Sequence, residues 1–269
     1  ILSTPMKIVI IDNLITSKNK KNNIGHNVTL LKQDISESFD FPDELHYIIH
    51  AASIASPPTY REFPIKTLDV NYQGTRNLLE IARKKKIKSM LFLSSSEIYG
   101  DPEVIPTPES YQGKVSCTGP RACYDESKRL AETVSTLYFQ QYKVPVKIAR
   151  PFNVYGPYLS LNDGRVIPDF MKNAIEKSEI LIHSDGSPTR SFCYVSDAIR
   201  AFFKLLFSKH DGIICNVGND EEISISDVAK MVQKTIGKPI SIKTIKSNDP
   251  NYTTDNPQRR CHDLSLIKK

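Results

Sequence analysis

No run of apolar residues in this 269-residue sequence approaches the ~20 that a membrane-spanning helix needs. No basic-then-apolar leader opens it either, so the expectation is a protein of the cytosol with no membrane partner. The cysteines are few, five in all. Cys117, Cys123, Cys193, Cys215 and Cys261 contain no CxxC pair and meet no histidine at metal-ligand spacing, so no metal is expected. Their odd count suits reduced thiols. Neither sign of charge dominates: Lys and Arg total 36 against 30 Asp and Glu, a net of +6. The basic runs "KNKKNN" and "RKKKIK" lack interleaved aromatic residues. They read as a solvated loop and a helix end rather than a nucleic-acid surface. Anionic small ligands stay compatible with the balance.

Glycine is also scarce, with 11 residues, and neither G-x-G-x-x-G nor G-x-x-G-x-x-G occurs. That absence would normally exclude a dinucleotide fold, yet the remaining pattern points toward one. "MKIVIID", "YIIHAA", "SMLFLSSS" and "VKIARPFNVYG" are short runs rich in Ile, Val and Leu that end in small or polar residues. Strands buried on both faces look like this. Between them lie "PIKTLDVNYQGTRNLLEIARKKK" and "YDESKRLAETVSTLYFQQY", whose apolar residues recur at helical spacing. Alternation of this kind predicts an α/β fold, a Rossmann-like doubly wound parallel sheet with helices on both faces. "ILSTPMKIVIID" then reads as a helix tail and the second strand. A first strand, its glycine turn and most of a first helix would need ~25 residues before it.

After about residue 165 the pattern loosens into helices at "VIPDFMKNAIEK", "VSDAIRAFFKLLFS" and "ISDVAKMVQKTIG", with short strands between them. The expected division is a dinucleotide-binding domain over 1–165 and a smaller α/β region over 166–269 that mainly binds substrate. The later chain is expected to cross back to the sheet.

Ligands of a doubly wound sheet sit beyond the carboxyl ends of its strands. The residues there are Asp12 and Asn13, His50 to Ser53, Ser94 to Glu97, and Pro151 to Asn153. An acid such as Asp12 can accept both hydroxyls of an adenosine ribose and would repel a 2′-phosphate. Aspartate also starts turns, so Asp12 alone leaves both readings open. Asp34 ends a further plausible strand, where it could reach an adenine amino group. In "RACYDESKR", Tyr124 and Lys128 stand one helical turn apart. A phenol of pKa ~10 is a weak base at neutral pH; an ammonium beside it, near a cationic nicotinamide, would lower that value. A hydroxyl from "FLSSSEIYG" would then hold a substrate alcohol against the phenol, with Glu97 as an acid or base.

With these residues assembled, the sequence resembles the extended short-chain dehydrogenase/reductases that act on nucleotide sugars. The likeness runs through "IIHAAS", "DVNYQGTRNLLEIA", "FLSSSEIYG", "CYDESKRLAE", "ARPFNVYGP" and "TRSFCYVSDAI". Within that group it is most similar to UDP-glucuronate decarboxylases, in "SEIYGDPEV", "GPRACYDESKR", "NDGRVIPDFM" and "DNPQRR". The resemblance implies a bound NAD, lined by Asp12, Asn13, Asp34, Ile35, Ala51, Ala52, Asn71, Tyr124, Lys128 and Pro151. It implies that Tyr124 takes the proton of the sugar C4 hydroxyl, that Lys128 tunes it, and that Ser95 holds that hydroxyl. Ser96 and Glu97 would lie near the sugar carboxylate, and Arg190 near that carboxylate or the uracil nucleotide. Tyr60, Asn153, Arg165, Arg190 and one of Arg259 and Arg260 would bind the UDP-sugar, the last at its diphosphate.

The implied chemistry is oxidation at C4, loss of CO2 from the resulting β-keto acid, protonation at C5 and reduction at C4, giving UDP-xylose. A 4,6-dehydratase would carry Asp where Ser96 stands, and a 4-epimerase does not need Glu97. A non-catalytic nucleotide-binding protein is the alternative of another class. The resemblance also implies a homodimer through the helices beginning near Gly74 and Tyr124, with Leu137 or Phe139 as contacts.

Overall fold

A computed structural model describes residues 6–16, 27–245 and 257–269. The expected helix tail at 1–5 and the lysine-rich loop at 18–23 lie outside the described residues. The chain begins with β1 (Ile8–Asp12) and β2 (Val28–Lys32), which pair in parallel. β3 (Tyr47–His50) leads through two short helices, α1 (Pro57–Glu62) and α2 (Pro64–Asp69), each started by a proline at its first turn. A π-helical turn at Val70–Gly74 joins α2 to α3 (Thr75–Lys85). The helix expected from Pro64 therefore runs on to Lys85, widened by one π-helical turn in its middle. β4 (Ser89–Leu93) follows, then a 3-10 turn at Ser96–Tyr99 and the long α4 (Ala122–Tyr142).

β5 (Val146–Pro151) and β6 (Val154–Tyr155) divide the run that reads as one strand in the sequence. Beyond them come α5 (Val166–Lys177), β7 (Glu179–Ile182), β8 (Thr189–Ser191), β9 (Cys193–Tyr194) and α6 (Val195–Leu206). The chain ends with β10 (Ile214–Val217), β11 (Glu222–Ser224), α7 (Ile225–Ile236), β12 (Ser241–Thr244) and β13 (Arg259–Arg260). Gly237 closes α7 in the left-handed conformation at φ 68°, as its position in the sequence predicts.

The central sheet is parallel in the order β10-β5-β4-β3, so the late chain does cross back to it. Among the described residues, β1 and β2 form a separate parallel pair. Side chains of the central strands alternate between two cores, as the pleat requires. Met90, Phe92 and Ile148 enter a core with Leu79, Ala82 and Ala131 from α3 and α4. Leu91 and Ala149 enter another with Ala198, Leu205 and Leu206 from α6. Phe170, Ile180, Val228 and Val232 make a third core in the later region.

Register then decides where chemistry can occur. His50 lies opposite Phe92, Leu93 opposite Ala149, and Pro151 opposite Val217, so the strands end along one edge.

Candidate active site

Three consecutive residues at the end of β4 meet three turns of α4. The Ser95 hydroxyl lies close enough to the Tyr124 phenol to favour its ionised form. Lys128 Nζ donates to the Leu93 carbonyl at 2.9 Å. The Ser94 hydroxyl donates to Glu132 at 2.5 Å. Tyr124, Lys128 and Glu132 are all buried, on the helix face that the i, i+4, i+8 spacing predicts. The Tyr124 ring stacks on that of Tyr60, centroids 5.3 Å apart, and the buried Tyr60 hydroxyl has no hydrogen-bond partner. Lys128 Nζ lies 5.9 Å from the Tyr124 ring centroid and 5.0 Å from that of Phe92.

The electrostatics differ from the expectation that Lys128 lowers the phenol. Burial pushes Tyr124 up to about 12; the nearby Ser95 hydroxyl opposes this, and Glu97 and Asp125 add to it. Burial also brings Lys128 down to about 7, with Glu132 opposing. The reason is desolvation, which disfavours the charged form of both groups in this dry setting.

Glu97 stands in the 3-10 turn that Ser95 caps by accepting the Glu97 amide at 3.2 Å. Burial raises its pKa, but the Arg260 and Arg121 charges outweigh this, with Arg190 adding to them, and hold it well below the carboxylate range. Arg121 and Arg260 each bond one of its oxygens. Glu97 is therefore a fixed anion at neutral pH and has no proton to donate.

The parallel pairing of β13 with β8 sets Arg260 beside Arg190. Both are buried, and Arg190 also donates to the Thr189 carbonyl at 2.8 Å. Of the two candidates at the diphosphate, Arg260 faces this cluster, while Arg259 is exposed and pairs with Glu222 at 2.6 Å. Arg165 pairs with Asp163 and lies close enough to Tyr124 and Glu97 to feel both charges. Asn153 adopts φ 44° and donates to the Ser191 carbonyl at 2.8 Å, next to Arg190.

The remaining residues line the other strand ends. One Asp12 oxygen accepts the Leu14 amide at 2.7 Å, so this acid does start a turn. Asn13 donates to Asp34 at 2.8 Å, and Ser36 caps the other Asp34 oxygen. Ile35 is buried against the position of Gly74. Ala51 is exposed, Ala52 and Pro151 are half-buried, and Ser96 is buried. Asn71 is buried in the π-helical turn, accepting from Ser53 at 2.7 Å and donating to Ser127 at 2.9 Å. Its side chain braces α4 between Tyr124 and Lys128. Arg121, Glu132 and Arg150 were not singled out from the sequence. Arg121 stands one turn before Tyr124 inside the quoted motif, and Glu132 continues its four-residue spacing, so both left a signal.

The model of the NAD dependent epimerase/dehydratase family matches residues 1–218. This chain belongs to that family. UDP-glucuronic acid decarboxylase 3 of Arabidopsis thaliana is 38% identical over 266 residues, 98% of this chain and 75% of that protein. UDP-glucuronic acid decarboxylase 1 of Xenopus tropicalis is 39% identical over 265 residues, 97% of this chain and 61% of its own length. Among solved structures, a UDP-N-acetylglucosamine 4-epimerase from Methanobrevibacter ruminantium, in complex with UDP-N-acetylmuramic acid, superposes with a TM-score of 0.86. It is 25% identical, and the match covers 98% of this chain and 83% of that one. A dTDP-glucose 4,6-dehydratase from Streptomyces venezuelae, solved with NAD bound, shares the fold at a TM-score of 0.82 and 20% identity, over 99% of this chain and 81% of its own.

The family's cofactor is NAD, and the residues at the two nucleoside ends fit it. An acid ends β1 where a ribose diol would lie, and the buried Lys128 ammonium spends one of its three donors on Leu93.

Proposed function

We propose that this protein decarboxylates UDP-glucuronate to UDP-xylose through a 4-keto sugar. The observation that carries the reading is the cluster of Arg190, Arg260 and Arg121 around an ionised Glu97, beside the Tyr124–Lys128 pair. The names of the relatives support it. NAD, held by Asp12 and Asp34 at one end and by Lys128 and Tyr124 at the other, supplies the reversible hydride acceptor at C4. Ser95 holds the C4 hydroxyl, and Tyr124 takes its proton.

A phenol raised to about 12 carries little phenolate at neutral pH. That phenolate fraction is the base; a cationic nicotinamide beside it would enlarge it, and it takes the C4 hydroxyl proton as the hydride leaves C4. The C4 ketone stands β to the C6 carboxylate; when CO2 leaves, the bond's electrons pass into an enolate that is then protonated at C5. Arg190 pairs the C6 carboxylate, and its planar fork suits that group. Ser96 offers no acid for a C6 hydroxyl, which distinguishes the site from a 4,6-dehydratase.

Residues 1–165 form the NAD-binding part and 166–269 mainly the nucleotide-sugar part, with β10 returning to the first. Tyr60, Asn153, Arg165 and Arg260 bind the UDP-sugar. The protein works in the cytosol, in keeping with five free thiols, and as a homodimer through α3 and α4. Leu137 is 53% exposed and offers such a contact. Phe139 is half-buried and packs in part against the main core.

Incubating the protein and NAD+ with UDP-glucuronate, UDP-glucose and dTDP-glucose, read by mass spectrometry, tests the assignment. UDP-xylose from the acid alone is expected; a 4-keto-6-deoxy product or C4 epimers would overturn it.

A further inference from the structure

Glu132 and Arg150 are buried charges in the interior beside the active site, and no step above uses them. Arg150, on β5, grips Glu132 with two bonds of 2.9 and 2.7 Å. Its remaining nitrogen donates to the Tyr99 hydroxyl at 2.7 Å and to the Glu109 carbonyl at 2.8 Å. Tyr99 donates onward to Asn216 on β10 at 2.7 Å. Asn216 donates to the carbonyls of Thr107 and Asp263, both at 3.1 Å. Asp263 stands three residues after Arg260, and Thr107 holds that same stretch through the Cys261 carbonyl at 3.0 Å. One continuous polar chain therefore joins the catalytic helix to the strand that delivers Arg260 to Glu97.

At its other end Glu132 accepts the Ser94 hydroxyl, one residue from Ser95 and from Leu93, the partners of Tyr124 and Lys128. An ion pair this dry is weak evidence of stabilisation, because desolvation offsets much of the attraction. Its geometric consequence is firmer: a doubly bonded carboxylate cannot turn.

Building on the decarboxylase reading, we propose that Glu132 is a positioning residue. Locked by Arg150, it fixes the end of β4 and the Lys128 ammonium relative to one another, and ties both to the Glu97–Arg260 clamp. The groups facing Lys128 are Tyr124 and Glu132 on its own helix, Phe92 and the Leu93 carbonyl on β4, and the neutral His50 on β3. Glu132 is the anion among them, so it helps keep Lys128 protonated.

Two variants separate positioning from bulk stability. Glu132→Gln combined with Arg150→Met removes both charges and so leaves no unpaired ion; Ser94→Ala removes only the tether to β4. Lysines labelled at Cε report the Lys128 titration by NMR without any sugar, the signal being assigned by its loss in Lys128→Met. The double variant is expected to titrate Lys128 about one unit or more lower. Both variants should lose about tenfold or more in kcat on UDP-glucuronate, with KM within threefold.

An unmoved Lys128 titration in the folded double variant overturns the inference. If that variant does not fold, Ser94→Ala with wild-type kcat overturns it. Because the titration needs no substrate, it decides the role of Glu132 even if the wild-type protein forms no UDP-xylose.

Discussion

Tyr124 and Lys128 each occupy a setting that disfavours charge, and a prediction attaches to each. Tyr124→Phe keeps the ring stacked on Tyr60 and removes the base. Turnover should fall by about 10²–10⁴-fold, while UDP-sugar affinity measured by calorimetry stays within about threefold. Lys128 is held at about 7 against its ordinary 10.5. The folded state thus binds this proton more weakly than the unfolded chain does. Its contribution to stability therefore rises from about pH 7 to 10.5, and below 7 the buried cation is a standing cost. Lys128→Met should abolish turnover yet raise Tm at pH 7, the gain being reduced by the donor that Leu93 loses. A melting scan showing Tm at or below wild type would contradict this.

Glu97 has the opposite sign. Its pKa falls from 4.5 to about 2, so its stabilising effect is complete above about pH 4.5 and is lost as pH falls toward 2. Glu97→Gln should flatten that part of the acid-denaturation curve, followed by circular dichroism.

At the scale of elements, placement of the site depends on short irregular pieces. The 3-10 turn at Ser96–Tyr99 presents Glu97 and Tyr99 from one turn of chain and ends on Gly100 at φ 63°. A Cβ there would overlap the Lys114 carbonyl oxygen, a backbone atom that cannot swing away. Gly100→Ala should cost about 2 kcal/mol or more, read as a lower denaturant midpoint, with activity lost in proportion to the folded fraction. The regular elements were legible in the sequence. Alternating apolar runs marked β3, β4 and β5, and helical spacing marked α4 to α7. The π-helical turn was not, because the apolar period simply runs through it, and the partners that Asn71 meets there, Ser53 and Ser127, lie far off in the chain. Motif spacing also located Tyr124, Lys128 and Ser95. It did not reveal that Arg121 and Arg260 share Glu97, since Arg260 lies 163 residues from it and reaches it only through the pairing of β13 with β8.

In the whole molecule, one edge of a parallel sheet gathers all of these pieces. β3, β4, β5 and β10 end together there, and β8 and β13 of the later region close over it with Arg190 and Arg260. On the proposed reading, the proton-handling pair Tyr124–Lys128 belongs to the sheet and its helix, while the arginines that would meet the sugar acid belong mainly to the later chain. The most direct test follows C6 itself. UDP-glucuronate labelled with 13C at C6 is incubated with the protein and NAD+, and carbon NMR is recorded as turnover proceeds. The account predicts that the label leaves entirely as CO2 and bicarbonate while unlabelled UDP-xylose accumulates, with no lasting absorbance at 340 nm. Label retained in a sugar product, whether an epimer or a 4-keto sugar, would contradict it.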